Sequence, residues 1–298
     1  MIFEGLGINL ITPFSDTSEI DYDRMERLVD HALKAGANAL ILGGTSGEFQ
    51  TMDNNEILTL IEFVVKKVEK RAKIIAQTGF SDTRRSIDLS IKAKELGVDA
   101  LLLANPSYNM GNENGLESHF KSIALVSGLP CILHNDPDHT NYEYKLDILE
   151  KLAKIPNIVA MIDSSSNIEN MIRIKASLPH NFQIIAANDK VLLPAMSLGL
   201  DAYISNLALI LPTQARTIGQ AYIDGVEIER ARDLQTLYMK LIEALELEVN
   251  PVPIKTAMNM LGYDMGDFRL PLSTMNPDRA AHLAGLLIDM NVDKAANN

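Results

Sequence analysis

The chain has 298 residues, 47% of them apolar and 22% charged, and carries a formal net charge of −12. That acidity, with no basic cluster, argues against a nucleic-acid or anionic-membrane partner, and no run of eighteen apolar residues offers a membrane-spanning helix. A single cysteine, Cys131, rules out an intrachain disulfide, and with no signal-like N-terminus the expectation is a soluble protein of a reducing cytoplasm.

In chain order, short apolar runs alternate with amphipathic stretches. The runs are Gly7–Ile11, Ala39–Leu42, Lys73–Ala76, Ala100–Ala104, Cys131–Leu133, Ile158–Ile162, Gln183–Ala187 and Ala202–Ser205. Each reads as a strand buried on both faces. Between them, Tyr22–Ala35 places Met25, Leu28, Val29, Ala32 and Leu33 at helical spacing, and Asn54–Lys70 does so with Ile57, Leu60, Ile61, Val64, Val65 and Val68. Further helices are expected over Thr83–Leu96, Gly115–Ser127, Tyr144–Lys154, Ile168–Ser177, Lys190–Gly199 and Pro212–Asp224. Gly36, Gly97, Gly128 and Gly199 stand where helix C-caps belong. Eight strand-helix pairs read as an α/β fold, a (β/α)8 TIM barrel over residues 1–225, with a doubly wound sheet as the alternative. After Asp224 the alternation stops. Three helical stretches, Val226–Leu247, Val252–Leu261 and Pro277–Met290, make a C-terminal helical extension over residues 226–298.

In such a barrel the chemistry sits at the C-terminal ends of the strands. Those ends supply Thr12-Pro13-Phe14, Gly43 to Glu48, Thr78-Gly79, Asn105 to Asn109, His134 to Thr140, Ile162 to Ser166, Ala187 to Lys190 and Ser205-Asn206. The Gly43-Gly44-Thr45-Ser46-Gly47-Glu48 turn gathers backbone N–H groups and two hydroxyls ahead of a helix. It suits a carboxylate or phosphate and lacks the spacing of a nucleotide P-loop. Ile158 to Asn167 is the other telling stretch: an apolar strand that ends on Ile162, which can do no acid, base or nucleophilic chemistry, and then turns polar at Asp163 and three serines.

These strand ends, in this order, resemble the dihydrodipicolinate synthase / N-acetylneuraminate lyase family of pyruvate-dependent aldolases. The resemblance runs nearly end to end, through Thr12-Pro13-Phe14, the Gly44 to Glu48 turn, Asn105-Pro106, Tyr108-Asn109, His119-Phe120-Lys121 and Ile155-Pro156-Asn157-Ile158-Val159. It continues in Asn250-Pro251-Val252-Pro253-Ile254-Lys255 and Leu270-Pro271-Leu272. It implies a (β/α)8 barrel with C-terminal helices, assembled as a homotetramer, and the match at Tyr108 points to at least a dimer here, so a homo-oligomer, dimer or tetramer, is expected. It also implies a lysine at the end of strand six whose amine forms an imine with pyruvate. That position falls on Ile162 here. The family's acid-base tyrosine falls on His134, its carboxylate-pairing arginine on His139, and a space-giving glycine on Ala187. Thr45 matches the hydroxyl that relays protons, Ser46 replaces a second hydroxyl, and Tyr108 matches the tyrosine that reaches a neighbouring subunit's site.

The resulting expectations are these. The relay positions are Thr45, Tyr108 and His134. A small oxo-acid-like or sugar-acid-like ligand lies against Gly44, Thr45, Ser46, His139, Asp163, Ala187 and Ile204. Lys190 is read as a solvated surface lysine, so no Schiff base is expected, and neither is a cofactor. His134, Asp136, Asp138 and His139 fall within six residues and hold ligand types for Zn²⁺ or Mn²⁺. A set drawn from one short turn seldom converges on an ion, so no metal is assigned, and His134 alone is read as facing the mouth. Its unperturbed pKa of about 6.5 suits acid-base work at neutral pH. The alternative is a lyase or dehydratase of changed mechanism using His134, Tyr108 and Thr45, with or without a metal. Whether the chain is an enzyme stays open at this level.

Overall fold

Every apolar run becomes one parallel strand, because a strand flanked by helices outside and side chains inside must be apolar on both faces. The computed structural model describes residues 1–294, and residues 295–298, the tail of the expected extension, lie outside the described residues. In chain order the first half is β1 (Gly5–Asn9), α1 (Tyr22–Lys34), β2 (Ala39–Leu42), α2 (Asn54–Val68), β3 (Lys73–Gln77), α3 (Thr83–Leu96), β4 (Ala100–Ala104) and α4 (Glu113–Ser127). The second half is β5 (Cys131–Asn135), α5 (Pro137–Thr140), α6 (Leu146–Leu152), β6 (Ile158–Asp163), α7 (Ile168–Ser177), β7 (Gln183–Ala186), α8 (Leu192–Met196), β8 (Ala202–Ile204) and α9 (Pro212–Asp224). Beyond it come α10 (Ile228–Ala244), α11 (Val252–Met260) and α12 (Pro277–Asp289). The strands pair in sequence order and β1 also pairs β8, so the sheet closes into a barrel and the doubly wound alternative falls. No helix among the described residues is long and apolar enough to cross a membrane.

Strand alternation divides the core in two. Ile41, Ile75, Leu102, Ile132, Ala160, Ile162, Ile185 and Ile204 turn inward and fill the barrel. Leu40, Leu42, Ile74, Leu101, Leu103, Leu133 and Met161 turn outward against the helices. The barrel is tight enough to need Gly7 in β1: a Cβ there would lie 2.9 Å from Ile204 Cγ1 and 3.1 Å from Ile41 Cδ1. Asp21, Asp53 and Asp82 cap α1, α2 and α3, each accepting from backbone N–H groups of the first turn.

Several element ends differ from the sequence reading. β1 begins two residues earlier than expected, at Gly5, since its register with β2 and β8 is what defines it. The expected helix over Lys190–Gly199 is a 3-10 turn at Asp189–Val191 followed by the short α8. The expected helix over Val226–Leu247 ends at Ala244, which frees the next residues to cross the barrel mouth.

The helices after α9 are docked onto the barrel. α10 packs on α9 and α12, and α11 packs on α12. From α11, Lys255 runs inward to full burial, with its Nζ 3.0 Å from Glu48 Oε1 and donating to the carbonyls of Thr12 and Asp267. Its ammonium also lies over the rings of Phe14 and Phe268. Burial pushes the Glu48 carboxyl up and the Lys255 amine down, and their mutual attraction opposes both shifts.

Removing one member of a buried ion pair leaves the other uncompensated. Lys255→Met is expected to lower unfolding stability by about 3–5 kcal/mol in denaturant titration. The double replacement Lys255→Met/Glu48→Leu should cost less than the sum of the two singles.

Candidate functional site

The C-terminal ends of the strands open on a cavity of about 390 Å³. Its floor is the top of the barrel core: Leu102 from β4 and Ile162 from β6. Ile162 lies level with His134 on β5 and Ile185 on β7 and is only 2% exposed. The walls come from Gly44 and Thr45 after β2, the β5 end, Ser164, Ala187 to Asp189, and Asn206.

The turn after β2 takes its shape from two glycines with positive φ, Gly43 (95°) and Gly44 (64°). A Cβ at Gly43 would come within 2.6 Å of the Phe49 ring, so only glycine fits. Gly47 closes the turn by donating to the Gly43 carbonyl. The Asn250 amide lies above it and donates to Thr45 Oγ (2.8 Å) and Ser46 Oγ (3.0 Å).

The β5 end departs most from the sequence reading. The sequence alone has His134 facing the mouth by itself, with its neighbours solvated. Instead Asp136 is buried, accepts from His139 Nδ1 at 2.8 Å, and lines the cavity with His134, Asp138 and His139. The cause is the single turn of helix at α5, which folds residues 137–140 back over the strand end. His134 Nε2 stands 3.0 Å from Ser164 Oγ and 3.9 Å from Asp136 Oδ2.

These contacts divide the two imidazoles. Burial drives His134 below its ordinary value, more than the Asp136 charge restores, so it is a neutral acceptor or donor at neutral pH. Burial also opposes charge on His139, but its hydrogen bond to Asp136, with the Asp136 and Asp138 charges, raises it overall. For Asp136 the desolvation cost is outweighed by His139 and His134, and its carboxyl is held below the ordinary range. The four residues of this loop do not converge on one point. Among the described residues no group of three or more His, Cys, Asp or Glu side chains is arranged to hold a metal ion.

Of the relay and ligand residues expected, Gly44, Thr45, His134, His139 and Ala187 line the cavity, as does Ile162. Four do not. Asp163 follows Ile162 on the strand, so alternation turns it outward. It is fully buried, with Oδ1 accepting from Asn135 Nδ2 and the Ser165 N–H, and burial raises its carboxyl. Ile204 packs inside the barrel beneath the mouth, against the strand-one glycine. Ser46 is buried behind Thr45 and turned to Asn250. Tyr108 has positive φ (64°) and stands wholly in solvent, off the cavity of its own chain. Lys190 is not free either: its amine lies 2.5 Å from Glu246 Oε2.

Part of the site escaped the sequence reading. Leu245 to Asn250, between α10 and α11, forms a whole wall and brings Glu246 and Glu248 to the mouth. Asp189 joins them from the β7 end. Its Oδ2 accepts from the N–H groups of Asn206 and Leu207, and burial pushes its carboxyl up to about 6. The forewarning of this wall was the Glu246-Leu247-Glu248 run ahead of Asn250-Pro251, whose first two residues fall in the expected helix over Val226–Leu247, while Asp189 stands at the strand-seven end already among the strand ends. A second chamber of about 270 Å³ adjoins the first, sharing Thr45, His134, Asp136, His139 and Asn250 and reaching Asn105, Pro271 and Leu272.

Comparison with known proteins gives one consistent result. The profile of the Dihydrodipicolinate synthetase family matches residues 2–289. The 4-hydroxy-tetrahydrodipicolinate synthase of Caldicellulosiruptor bescii is 40% identical over 291 residues, 98% of either chain. That of Acetivibrio thermocellus is 37% identical over 274 residues, 92% of either chain. The crystal structure of dihydrodipicolinate synthase from Aquifex aeolicus superimposes with a TM-score of 0.94 at 34% identity, covering 99% of this chain and 100% of the other.

The Asp136–His139 pair generates a pH prediction. A raised histidine contributes stability that is complete below its ordinary pKa of 6.5 and is lost as pH rises through the higher folded value. A depressed aspartate contributes stability that is present above its ordinary 3.8 and is lost as pH falls through the lower folded value. The melting-temperature difference between wild type and His139→Gln is therefore expected to be largest between those two pH values and to shrink above the window. A difference that instead grew at alkaline pH would contradict the pairing.

Proposed function

Because the chain belongs to the dihydrodipicolinate synthetase family, we propose that it keeps a small-molecule site at the barrel mouth but does not run pyruvate-imine chemistry there. In this reading the site holds a small oxo-acid-like or sugar-acid-like ligand. The observation that carries it is that, among the described residues, no lysine lines the cavity, and the strand-six end that faces it is Ile162. An alkyl side chain cannot condense with a ketone. The two lysines nearest to consideration are both engaged: Lys190 with Glu246, and Lys255 in its buried pair with Glu48. The acid end of the ligand is assigned to the Gly44–Ser46 turn, whose backbone N–H groups and Thr45 hydroxyl suit a carboxylate.

A lyase or dehydratase of changed mechanism, using His134, Tyr108 and Thr45, has less behind it. Among the described residues the β5 loop donors do not converge on an ion. We read the protein as cytoplasmic and as a homo-oligomer, dimer or tetramer. Tyr108 and its half-exposed neighbour Met110 offer an apolar surface for a second copy, which is what the relay role assigned to Tyr108 requires.

The test is reductive trapping. Borohydride treatment with pyruvate, followed by mass spectrometry, is expected to leave the wild-type chain unmodified, and a stable pyruvate adduct on any lysine would sink the reading. Ile162→Lys gives the positive arm. Replacing the buried alkyl group should cost roughly 2 kcal/mol of stability. The buried amine, its pKa lowered by desolvation, is expected to trap pyruvate.

A further inference from the structure

The Gly44–Ser46 turn has to hold an acid group by hydrogen bonds. Among the described residues no lysine or arginine lines the cavity, whereas Asp136, Asp138, Asp189, Glu246 and Glu248 all do. The imidazole drawn toward charge there, His139, is already bonded to Asp136. Attraction for a carboxylate therefore falls to the donors of the turn itself. The backbone N–H groups of Gly44, Thr45 and Ser46 make no hydrogen bond among the described residues. The remaining donor is the Thr45 hydroxyl. A hydroxyl both donates and accepts, so its value to an anion depends on what fixes its proton.

Asn250 stands where it can do that. Its Nδ2 carries two hydrogens, and both are used, one on Thr45 Oγ at 2.8 Å and the other on Ser46 Oγ at 3.0 Å. A hydroxyl oxygen that accepts in this way still has its own proton to give. For Thr45 that proton meets no acceptor among the described residues, and the side chain lines both chambers. With an acceptor in the place of Nδ2, Thr45 would donate backward and turn its lone pairs to the ligand. The contact spans 205 residues of sequence and joins the segment before α11 to the turn after β2.

We propose that Asn250 is a positioning residue, which occupies the acceptor side of the Thr45 hydroxyl and so makes Thr45 a donor aimed at the acid group of the ligand. This rests on the reading that the turn holds that group, and it adds what sets the polarity of the turn. Asn250 acts through Thr45 rather than on the ligand. The helices after the barrel thereby contribute to binding as well as to packing.

Calorimetric titration with pyruvate across a double-mutant cycle tests the assignment. Thr45→Val is expected to weaken pyruvate roughly tenfold and Asn250→Ala about threefold. Added to Thr45→Val, Asn250→Ala should cost nothing further, because the hydroxyl it orients is gone. Thr45→Ser, which keeps a hydroxyl, should preserve both the affinity and its dependence on Asn250. Should Asn250→Ala unfold, Asn250→Asp takes its place: it has the same shape with an acceptor facing the hydroxyl, and its loss of affinity should shrink in the Thr45→Val background. A wall that merely loosened would weaken pyruvate equally in both backgrounds. That result overturns the inference and leaves the acid-binding reading standing, as does a Thr45→Val variant that binds like wild type. If pyruvate does not bind the wild-type protein, both fall.

Discussion

The site depends on one buried contact, the Lys255–Glu48 pair. Both side chains are fully buried, so the two charges are stable only while they meet each other and the surrounding carbonyls. Lys255 belongs to α11 and Glu48 to the turn after β2. Their union brings the helices after the barrel down onto the Gly43–Glu48 turn. Asn250, five residues before Lys255, then falls within hydrogen-bonding distance of Thr45 and Ser46. The same docking carries Glu246 and Glu248 over the mouth. A contact with no chemistry of its own therefore shapes both the Gly43–Glu48 turn and the Leu245–Asn250 wall of the cavity.

At the centre of that frame sits Ile162, at the top of the barrel core. In this position the strand order aims a side chain straight into the cavity, and here the side chain is inert. Two imidazoles line the cavity at the β5 end, where burial and their contacts separate them. His134 is kept neutral and hydrogen-bonded to Ser164, while His139 is drawn toward its charged form by Asp136. Such a pair can position and polarise a ligand, but neither imidazole can stand in for an amine that forms an imine.

Much of the barrel was legible in the sequence because its strands are buried on both faces and written as unbroken apolar runs. The helices between them were legible because one face of each is apolar at helical spacing. The site was legible only in part. Gly44, Thr45, His134, His139, Ile162 and Ala187 could be placed at the mouth from strand ends alone. Asp163 and Ile204 could not, since a shift of one residue along a strand reverses which way a side chain faces. The strand limits were set by pairing with neighbours rather than by the run itself. Asp136 looked like a solvated loop residue because nothing local announces that α5 folds it under cover.

By itself the sequence determined the alternation of strand and helix, the chain's acidity, and the absence of an amine at the strand-six end, since each is a property of residue type and order. Only the tertiary structure decided that six residues after α10 wall the cavity and that Asp189 and Glu246 line it together. It also decided that the cavity's carboxylates outnumber its cations. Those facts depend on which distant segments are brought within a few ångströms of one another. Barrel closure and the Lys255–Glu48 contact set that, and neither leaves a periodic mark in the chain.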